Sequence, residues 1–347
     1  MSYKKLFVLL FCCCLQALWA EGSPSILQGG EFFPNSLEQG KTGSKRSGPN
    51  EEPMAKAMGD EEDRSGEAAT ERISKKLTAL QYKPTVIVSV APHKFFVQKI
   101  AGDSVGVYLM VPAGASSHTY EPTPKQMLTA AKSDLWFIIG ETFEPRASQA
   151  LRSHHPNFQT VDLRQGLALI ANADHHHHEQ SYKGCCQGAY DLHIWLSARL
   201  AQTQAQTIAT ALSERYPHNK ELYQKNLATF IEELKTLDHS IHSILEPLQN
   251  RNIFVSHPAY AYFVRDYHLK QYSIEVEGKD PTPQQMTRLL NLARQLRVKT
   301  IYIQPQYNNK AAHLVSQQLG TRIVALDPYA EDYVKMMLEI AHAFAQN

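Results

Sequence analysis

The chain has 347 residues, of which 43% are hydrophobic, and a formal net charge of +1. This length allows two domains with sizeable cores, and the balanced charge gives no reason to expect nucleic acid or an anionic membrane surface as a partner. Three of the five cysteines occupy positions 12–14, so the rest of the chain carries no disulfide framework. The composition therefore favours a globular protein that is stabilised by its hydrophobic cores.

The first 20 residues have the pattern of a secretory signal peptide. A basic start at Lys4 and Lys5 is followed by an apolar run over residues 6–15 and by Ala-Leu-Trp-Ala, which ends at Ala20. We expect cleavage after Ala20, with lipid attachment at one of the cysteines at positions 12–14 as the alternative. No later apolar run is long enough to cross a bilayer, so we predict an exported protein of the periplasm or another extracytoplasmic space.

Residues 21–82 are predicted to form a disordered polar tether. Residues 34–81 contain no aromatic side chain, and Glu51 to Lys76 includes eight acidic and five basic residues. Such a segment cannot bury enough apolar surface to offset the entropy that is lost on ordering. Regular structure is therefore expected to begin near residue 83.

From residue 83 onward, short β-branched runs alternate with helical patterns. This alternation predicts an α/β fold of two parallel-sheet lobes with flanking helices, at 83–217 and 248–347, joined by one long rigid linker helix at 218–247. The strands are predicted at 85–90, 105–111, 135–139, 159–163, 252–255, 272–276, 300–304 and 322–326. The other helices are predicted at 124–131, 144–151, 193–215, 260–267, 282–297, 311–319 and 331–344.

A histidine-rich loop at 172–190 interrupts the first lobe. It contains four consecutive histidines (His175, His176, His177 and His178) and two adjacent cysteines (Cys185 and Cys186). Imidazole and thiolate are preferred ligands of zinc-class metals, so the loop predicts a metal-associated protein. We expect the four histidines to provide accessory, weaker binding; a solvated polar loop without a fixed partner is the alternative.

The main site is predicted where strands end, because ligands of open parallel sheets bind beyond the carboxyl ends of the strands. His118 follows the second predicted strand, His257 follows the strand at 252–255, and Asp327 directly follows the last strand. His193 opens the helix after the histidine-rich loop. Three imidazoles and one carboxylate make a complete tetrahedral shell for zinc, which predicts a metal site in the cleft between the lobes. His93, after the first strand, is a candidate substitute ligand.

A short motif occurs once in each half of the chain. Glu121–Met127 reads EPTPKQM, and Asp280–Met286 reads DPTPQQM. Threonine followed by proline is a typical helix start, with threonine as the N-cap and proline at the first helical position. Either the two lobes are structurally equivalent, or one capping solution has been used twice.

Several segments together resemble the metal-binding lipoprotein and zinc-binding protein family, the solute receptors of bacterial zinc and manganese ABC importers. The resemblance covers residues 84–347 and depends on Pro112–Pro122, Asp191–Ser197, Val255–Phe263, Glu277–Met286 and Leu326–Pro328. It implies two lobes joined by a rigid helix, with the metal held between them by His118, His193, His257 and Asp327. The chain departs from the family pattern at Ser117, where zinc-type members often have an acidic residue, and at Leu192, where proline is typical.

These features predict a receptor that captures Zn(II) outside the cytoplasm and delivers it to an ABC importer, which consists of a membrane permease and a cytoplasmic ATPase. We expect a monomer that is not an enzyme and binds no nucleic acid. His257 favours zinc, because manganese-preferring members usually have Glu there; Mn(II) and iron remain alternatives. A surface adhesin and an exported metallohydrolase, with Glu121 as the only obvious base, are the competing functions.

Overall fold

The structure is a computed structural model and describes residues 83–172, 190–276 and 279–347. It contains two four-stranded parallel sheets, with strand orders β2-β1-β3-β4 and β6-β5-β7-β8. The predicted fold class is confirmed. The predicted signal peptide, the polar tether, His175–His178 and both late cysteines lie outside the described residues.

The first sheet is built from strands that alternate with helices. Its elements are β1 (Thr85–Val88), α1 (Ala91–Ala101), β2 (Gly106–Leu109), α2 (Pro124–Ala130), β3 (Leu135–Ile138), α3 (Glu144–His154) and β4 (Gln159–Asp162). Strand β1 pairs with β2 on one side and with β3 on the other, and its last three residues are buried. The β-branched run suits this position because a central parallel strand is covered on both faces.

Two helices follow, α4 (Ala198–Arg215) and α5 (Lys220–Leu245), and then the second sheet. Its elements are β5 (Asn252–Val255), α6 (Ala261–Asp266), β6 (Lys270–Ser273), α7 (Pro283–Gln295), β7 (Thr300–Ile303), α8 (Lys310–Leu319), β8 (Arg322–Ala325) and α9 (Tyr333–Ala345). None of the helices in the described part of the chain is long and apolar enough to span a membrane.

Two predicted elements are misplaced. The strand predicted at 272–276 is β6, which begins and ends earlier because Lys270 to Ser273 align with Asn252 to Val255 of β5. The helix predicted to begin at His193 begins at Ala198 instead. The Ser197 side chain caps it by accepting a hydrogen bond from the backbone N–H of Leu200 at 3.0 Å, and residues 194–196 form a separate 3-10 turn.

The two sheets are equivalent in topology, and the repeated motif begins the equivalent helix in each half. Thr123 caps α2 and Thr282 caps α7, each in a reciprocal capping box with a glutamine three residues later. Since the strand orders also correspond, the repeated motif marks the same position in two similar units.

Helix α5 joins the two halves through one continuous core. It spans 26 residues, or about 39 Å at 1.5 Å per residue. It packs against α1, α4 and α9. Phe96 of α1 has its ring 5.4 Å from that of Phe230 in α5 and 4.8 Å from that of Tyr333 in α9. Because the same buried cluster includes residues from both halves, a wide hinge opening would expose part of the core.

Candidate metal centre

Three histidines converge between the two sheets. His118 lies in a 3-10 turn that follows β2, His257 lies two residues after β5, and His193 immediately precedes the turn at 194–196. Each offers one ring nitrogen, and these three nitrogens lie within 4.8 Å of one another. His193 and His257 are buried, whereas His118 is partly accessible. The structure thus brings together three of the four predicted ligands.

Each of the three imidazoles has a carboxylate beside its Nδ1 atom. The pairs are His118 with Glu141 at 3.1 Å, His193 with Asp191 at 2.9 Å, and His257 with Glu275 at 2.7 Å. An ionised carboxylate can only accept, so it selects the tautomer in which Nδ1 carries the hydrogen and Nε2 keeps its lone pair. The Nε2 atoms of His118 and His193 lie 3.3 Å apart, so the lone pairs are directed into one small region.

Burial and neighbouring charges shift the pKa values of three groups at the site. Burial, together with the neighbouring His193 and His118, lowers the pKa of His257 well below its ordinary value. Burial alone would raise the pKa of Glu141, but the charge and hydrogen bond of His118 bring it below the ordinary value. Burial and the nearby Asp280 raise the pKa of Glu275 to about 7, so this carboxylate is ionised, and accepts from Nδ1 of His257, mainly above that pH. A neutral His257 keeps a lone pair that is available to a divalent cation.

The turn that carries Glu141 is held by a second buried glutamate, Glu144. Its carboxylate accepts hydrogen bonds from the backbone N–H groups of Ile139, Gly140 and Glu141, and from the Ser89 hydroxyl. Gly140 has φ +96°, and a side chain there would meet the guanidinium of Arg164. The turn therefore requires glycine, and its geometry fixes the carboxylate that orients His118.

Asp327, the fourth predicted ligand, does not belong to this cluster. Its carboxylate is exposed, and Oδ1 accepts hydrogen bonds from the Gln306 side chain at 2.6 Å and from the backbone N–H of Tyr329 at 2.9 Å. Tyr329 itself is buried, and its hydroxyl lies 3.3 Å from Nε2 of His193. The role of Asp327 as a metal ligand therefore remains a prediction.

Two other candidates lie apart from the cluster. His93 is buried behind it; its Nε2 atom is 2.7 Å from Oε1 of Gln204, and its ring meets Trp195 edge-on. Gln204 also donates to the carbonyl of Ile194, so this pair supports the turn that follows His193. Glu121, the predicted base of a hydrolase, is exposed and is not one of the carboxylates bonded to the three histidines.

Sequence reasoning missed the three carboxylates and Tyr329. Glu141 and Glu275 also follow strand ends, as does Tyr329 after β8, so the rule that located His118, His257 and Asp327 would have found them if glutamate and tyrosine had been considered. Asp191 lies two residues before His193, where its Oδ1 also accepts the backbone N–H of His193 at 2.8 Å.

Two parallel-sheet lobes with a cluster of imidazoles between them define a metal-binding solute receptor. The family model of the periplasmic zinc-uptake complex component A, ZnuA, matches residues 86–347, and the chain belongs to that family. It is 32% identical over 263 residues to the "Putative metal-binding protein" of Chlamydia trachomatis serovar D, covering 75% of this chain and 90% of that protein.

Three further similarities agree with this assignment. The chain is 28% identical over 248 residues to the high-affinity zinc uptake system protein ZnuA of Bacillus subtilis, covering 70% of this chain and 77% of that protein. A crystal structure of ZnuA superposes with a TM-score of 0.70 at 33% identity, covering 76% of this chain and 99% of the other. A ZnuA deletion mutant with zinc bound gives a TM-score of 0.69, also at 33% identity.

Proposed function

We propose that the protein captures Zn(II) outside the cytoplasm and delivers it to an ABC importer. The observation that carries this proposal is the convergence of three Nε2 lone pairs, each set by a carboxylate at Nδ1. Three imidazole nitrogens suit zinc, a borderline-soft ion, better than manganese, which prefers oxygen ligands. Family membership and the zinc uptake protein of Bacillus subtilis support the same cargo.

The proposed ligands are His118, His193 and His257 through Nε2, with Asp327 as the fourth. Asp327 would have to exchange its present hydrogen bonds for the metal, whereas the three imidazoles already face one another. Each His→Ala variant should therefore weaken zinc binding by more than the roughly 10–100-fold that is typical for loss of an outer-shell partner. Asp327→Asn should cause a smaller loss.

The test is a competition titration of the purified protein with Zn(II) and a chromophoric chelator. The exposed His313, replaced by alanine, is the matched control and should bind as the wild type does. Tight binding that survives in all three histidine variants would refute the proposed site. A parallel titration with Mn(II) decides the cargo, because tighter binding of manganese than of zinc would favour the alternative receptor.

The His175–His178 segment we assign to accessory, weaker binding. Deletion of residues 174–187 should remove the weaker sites and leave one tightly bound zinc per chain. Loss of the tight site in this variant would contradict the division between a main and an accessory site. Measuring bound metal by mass spectrometry of the native protein separates the two classes, because each retained ion adds a defined mass.

The remaining proposals concern where and with what the receptor acts. We propose export by the N-terminal segment, with cleavage after Ala20 or lipid attachment at a cysteine of positions 12–14, and a monomer that docks on the membrane permease. Mass spectrometry of the mature N-terminus distinguishes cleavage from lipidation. Light scattering of the loaded protein should give the mass of one chain, and a stable dimer would contradict the monomer.

A further inference from the structure

The hydroxyl of Tyr329 lies against the same nitrogen that the proposed function assigns to zinc. It is 3.3 Å from Nε2 of His193 and 3.2 Å from Oγ of Ser117. The ring is buried beside Trp195, with the ring centroids 5.2 Å apart, so the hydroxyl is held in place by packing. The phenol of Tyr329 therefore reaches a proposed ligand atom directly.

The direction of these hydrogen bonds follows from their other partners. Asp191 accepts at Nδ1 of His193, so Nε2 of that ring is an acceptor. Ser117 lies 2.6 Å from the Glu141 carboxylate, which can only accept, so the Ser117 hydroxyl gives its hydrogen to Glu141 and presents lone pairs to Tyr329. The single phenolic hydrogen of Tyr329 therefore has Nε2 of His193 and Oγ of Ser117 as acceptors, and the Tyr307 hydroxyl lies slightly farther away at 3.4 Å.

We propose that Tyr329 competes with the metal for His193. One lone pair cannot serve a phenolic hydrogen and a metal ion at once, so zinc binding must break the Tyr329–His193 hydrogen bond. Ser117 then provides the alternative acceptor, which keeps the buried hydroxyl satisfied. Tyr329 thereby weakens the site and speeds release of the cargo, a useful property in a receptor that must hand its metal on. This inference depends on the proposed function, because it requires His193 to be a ligand.

The magnitude follows from the net strength of one hydrogen bond. A typical intramolecular hydrogen bond changes an equilibrium by roughly 2- to 10-fold, and the alternative acceptor at Ser117 recovers part of that. Tyr329→Phe should therefore bind zinc about 2- to 5-fold more tightly than the wild type. If Tyr329 instead coordinated the metal or supported a metal-bound water, the same substitution would weaken binding. The sign of the change separates the two roles.

The experiment compares the wild-type protein with its Tyr329→Phe variant. Zinc affinity is measured by chelator competition, and release by stopped-flow transfer of zinc to excess chelator. Tighter binding with slower release is the expected result; weaker or unchanged binding would overturn the inference. Tyr333→Phe is the matched control, because this buried tyrosine also borders Trp195 but donates its hydroxyl to the Trp195 carbonyl at 2.8 Å.

A double-mutant cycle tests the role of Ser117. Removing this acceptor by Ser117→Ala should weaken zinc binding further in the wild-type background than in the Tyr329→Phe background, because only the tyrosine needs an alternative acceptor. Equal losses in both backgrounds would contradict the role of Ser117 as the alternative acceptor. The proposed function is refuted by different results, namely a wild type that does not bind zinc tightly or histidine variants that bind zinc as tightly as the wild type. If the wild type binds tightly and the histidine variants do not, the Tyr329 experiments test the role of Tyr329 alone.

Discussion

Replacing Asp191 tests whether the carboxylates at Nδ1 prepare the metal centre. This buried residue uses one oxygen to accept two hydrogen bonds from His193, at 2.8 Å from the backbone N–H and 2.9 Å from Nδ1. Asp191→Ala removes both acceptors and leaves the proposed ligand itself in place. Asp191→Asn keeps an oxygen that can accept both bonds but removes the negative charge.

The two substitutions should differ in magnitude. Loss of an outer-shell partner typically costs about 10–100-fold in metal affinity, or about 1.4–2.7 kcal/mol. We expect Asp191→Ala near the upper limit, because nothing then selects the tautomer with a free Nε2 lone pair. Asp191→Asn should lie near the lower limit. The orphaned backbone N–H costs about 1–3 kcal/mol with or without metal, so it appears in the free energy of unfolding and not in the affinity.

Chelator competition measures the affinity, and urea unfolding of the metal-depleted protein measures stability. Asp238→Asn is the control, because Asp238 bonds with Tyr267 and Arg199 and not with a histidine. Its zinc affinity should remain that of the wild type. Folded Asp191→Ala protein with unchanged zinc affinity would refute the reasoning that the carboxylate prepares His193.

Three further predictions concern stability and the supporting turns. Burial lowers the pKa of His93 to about 4. Between that pH and the ordinary pKa near 6.5, the folded state therefore binds fewer protons than the unfolded state. The free energy of unfolding should fall by up to about 3 kcal/mol as the pH drops through this window. Urea unfolding at several pH values should show a flatter dependence for His93→Gln, while His313→Gln, at an exposed position, keeps the wild-type slope. Thr282→Ala should cost about 1 kcal/mol through loss of the α7 cap, and Thr282→Ser should recover most of it; equal losses would show that the hydroxyl is not what matters. Gly140→Ala should lower both stability and zinc affinity, whereas Gly166→Ala, with a similar positive φ and open space around it, should lower stability alone.

The fold was predictable because its signals are local. Runs such as Thr85–Val88 and Asn252–Val255 are short, apolar and bounded by turn residues, and their alternation with helical patterns specifies a parallel sheet. Strand β6 was misplaced because Lys270 and Gln271 look polar, and only their pairing with β5 makes them part of a strand. The start of α4 depended on the Ser197 cap, a local detail that the apolar pattern of residues 194–196 concealed.

The site was only partly predictable, for a different reason. His118 and His257 were found because a topological rule places strand ends together, whatever the side-chain details, and His193 because it was predicted to open the helix after the histidine-rich loop. Which carboxylate faces which imidazole depends on tertiary packing, as in the contact of Glu275 with His257. The position of Asp327 outside the cluster, with Tyr329 against His193 instead, follows from how the loop after β8 packs on Trp195. Neither contact leaves a pattern in the sequence.

His118 follows β2 and His257 follows β5, so a metal bound between them would also affect the stability of the protein. A metal bound to both would act as a reversible cross-link between segments far apart in the chain. Since it binds only the folded arrangement, it adds about 4 kcal/mol of stability when free metal is about 1,000 times its Kd. Cleavage by proteases that act on opened molecules would fall accordingly. Receptors that carry metal would outlive those that do not, so the number of receptors in the envelope would follow the supply of zinc.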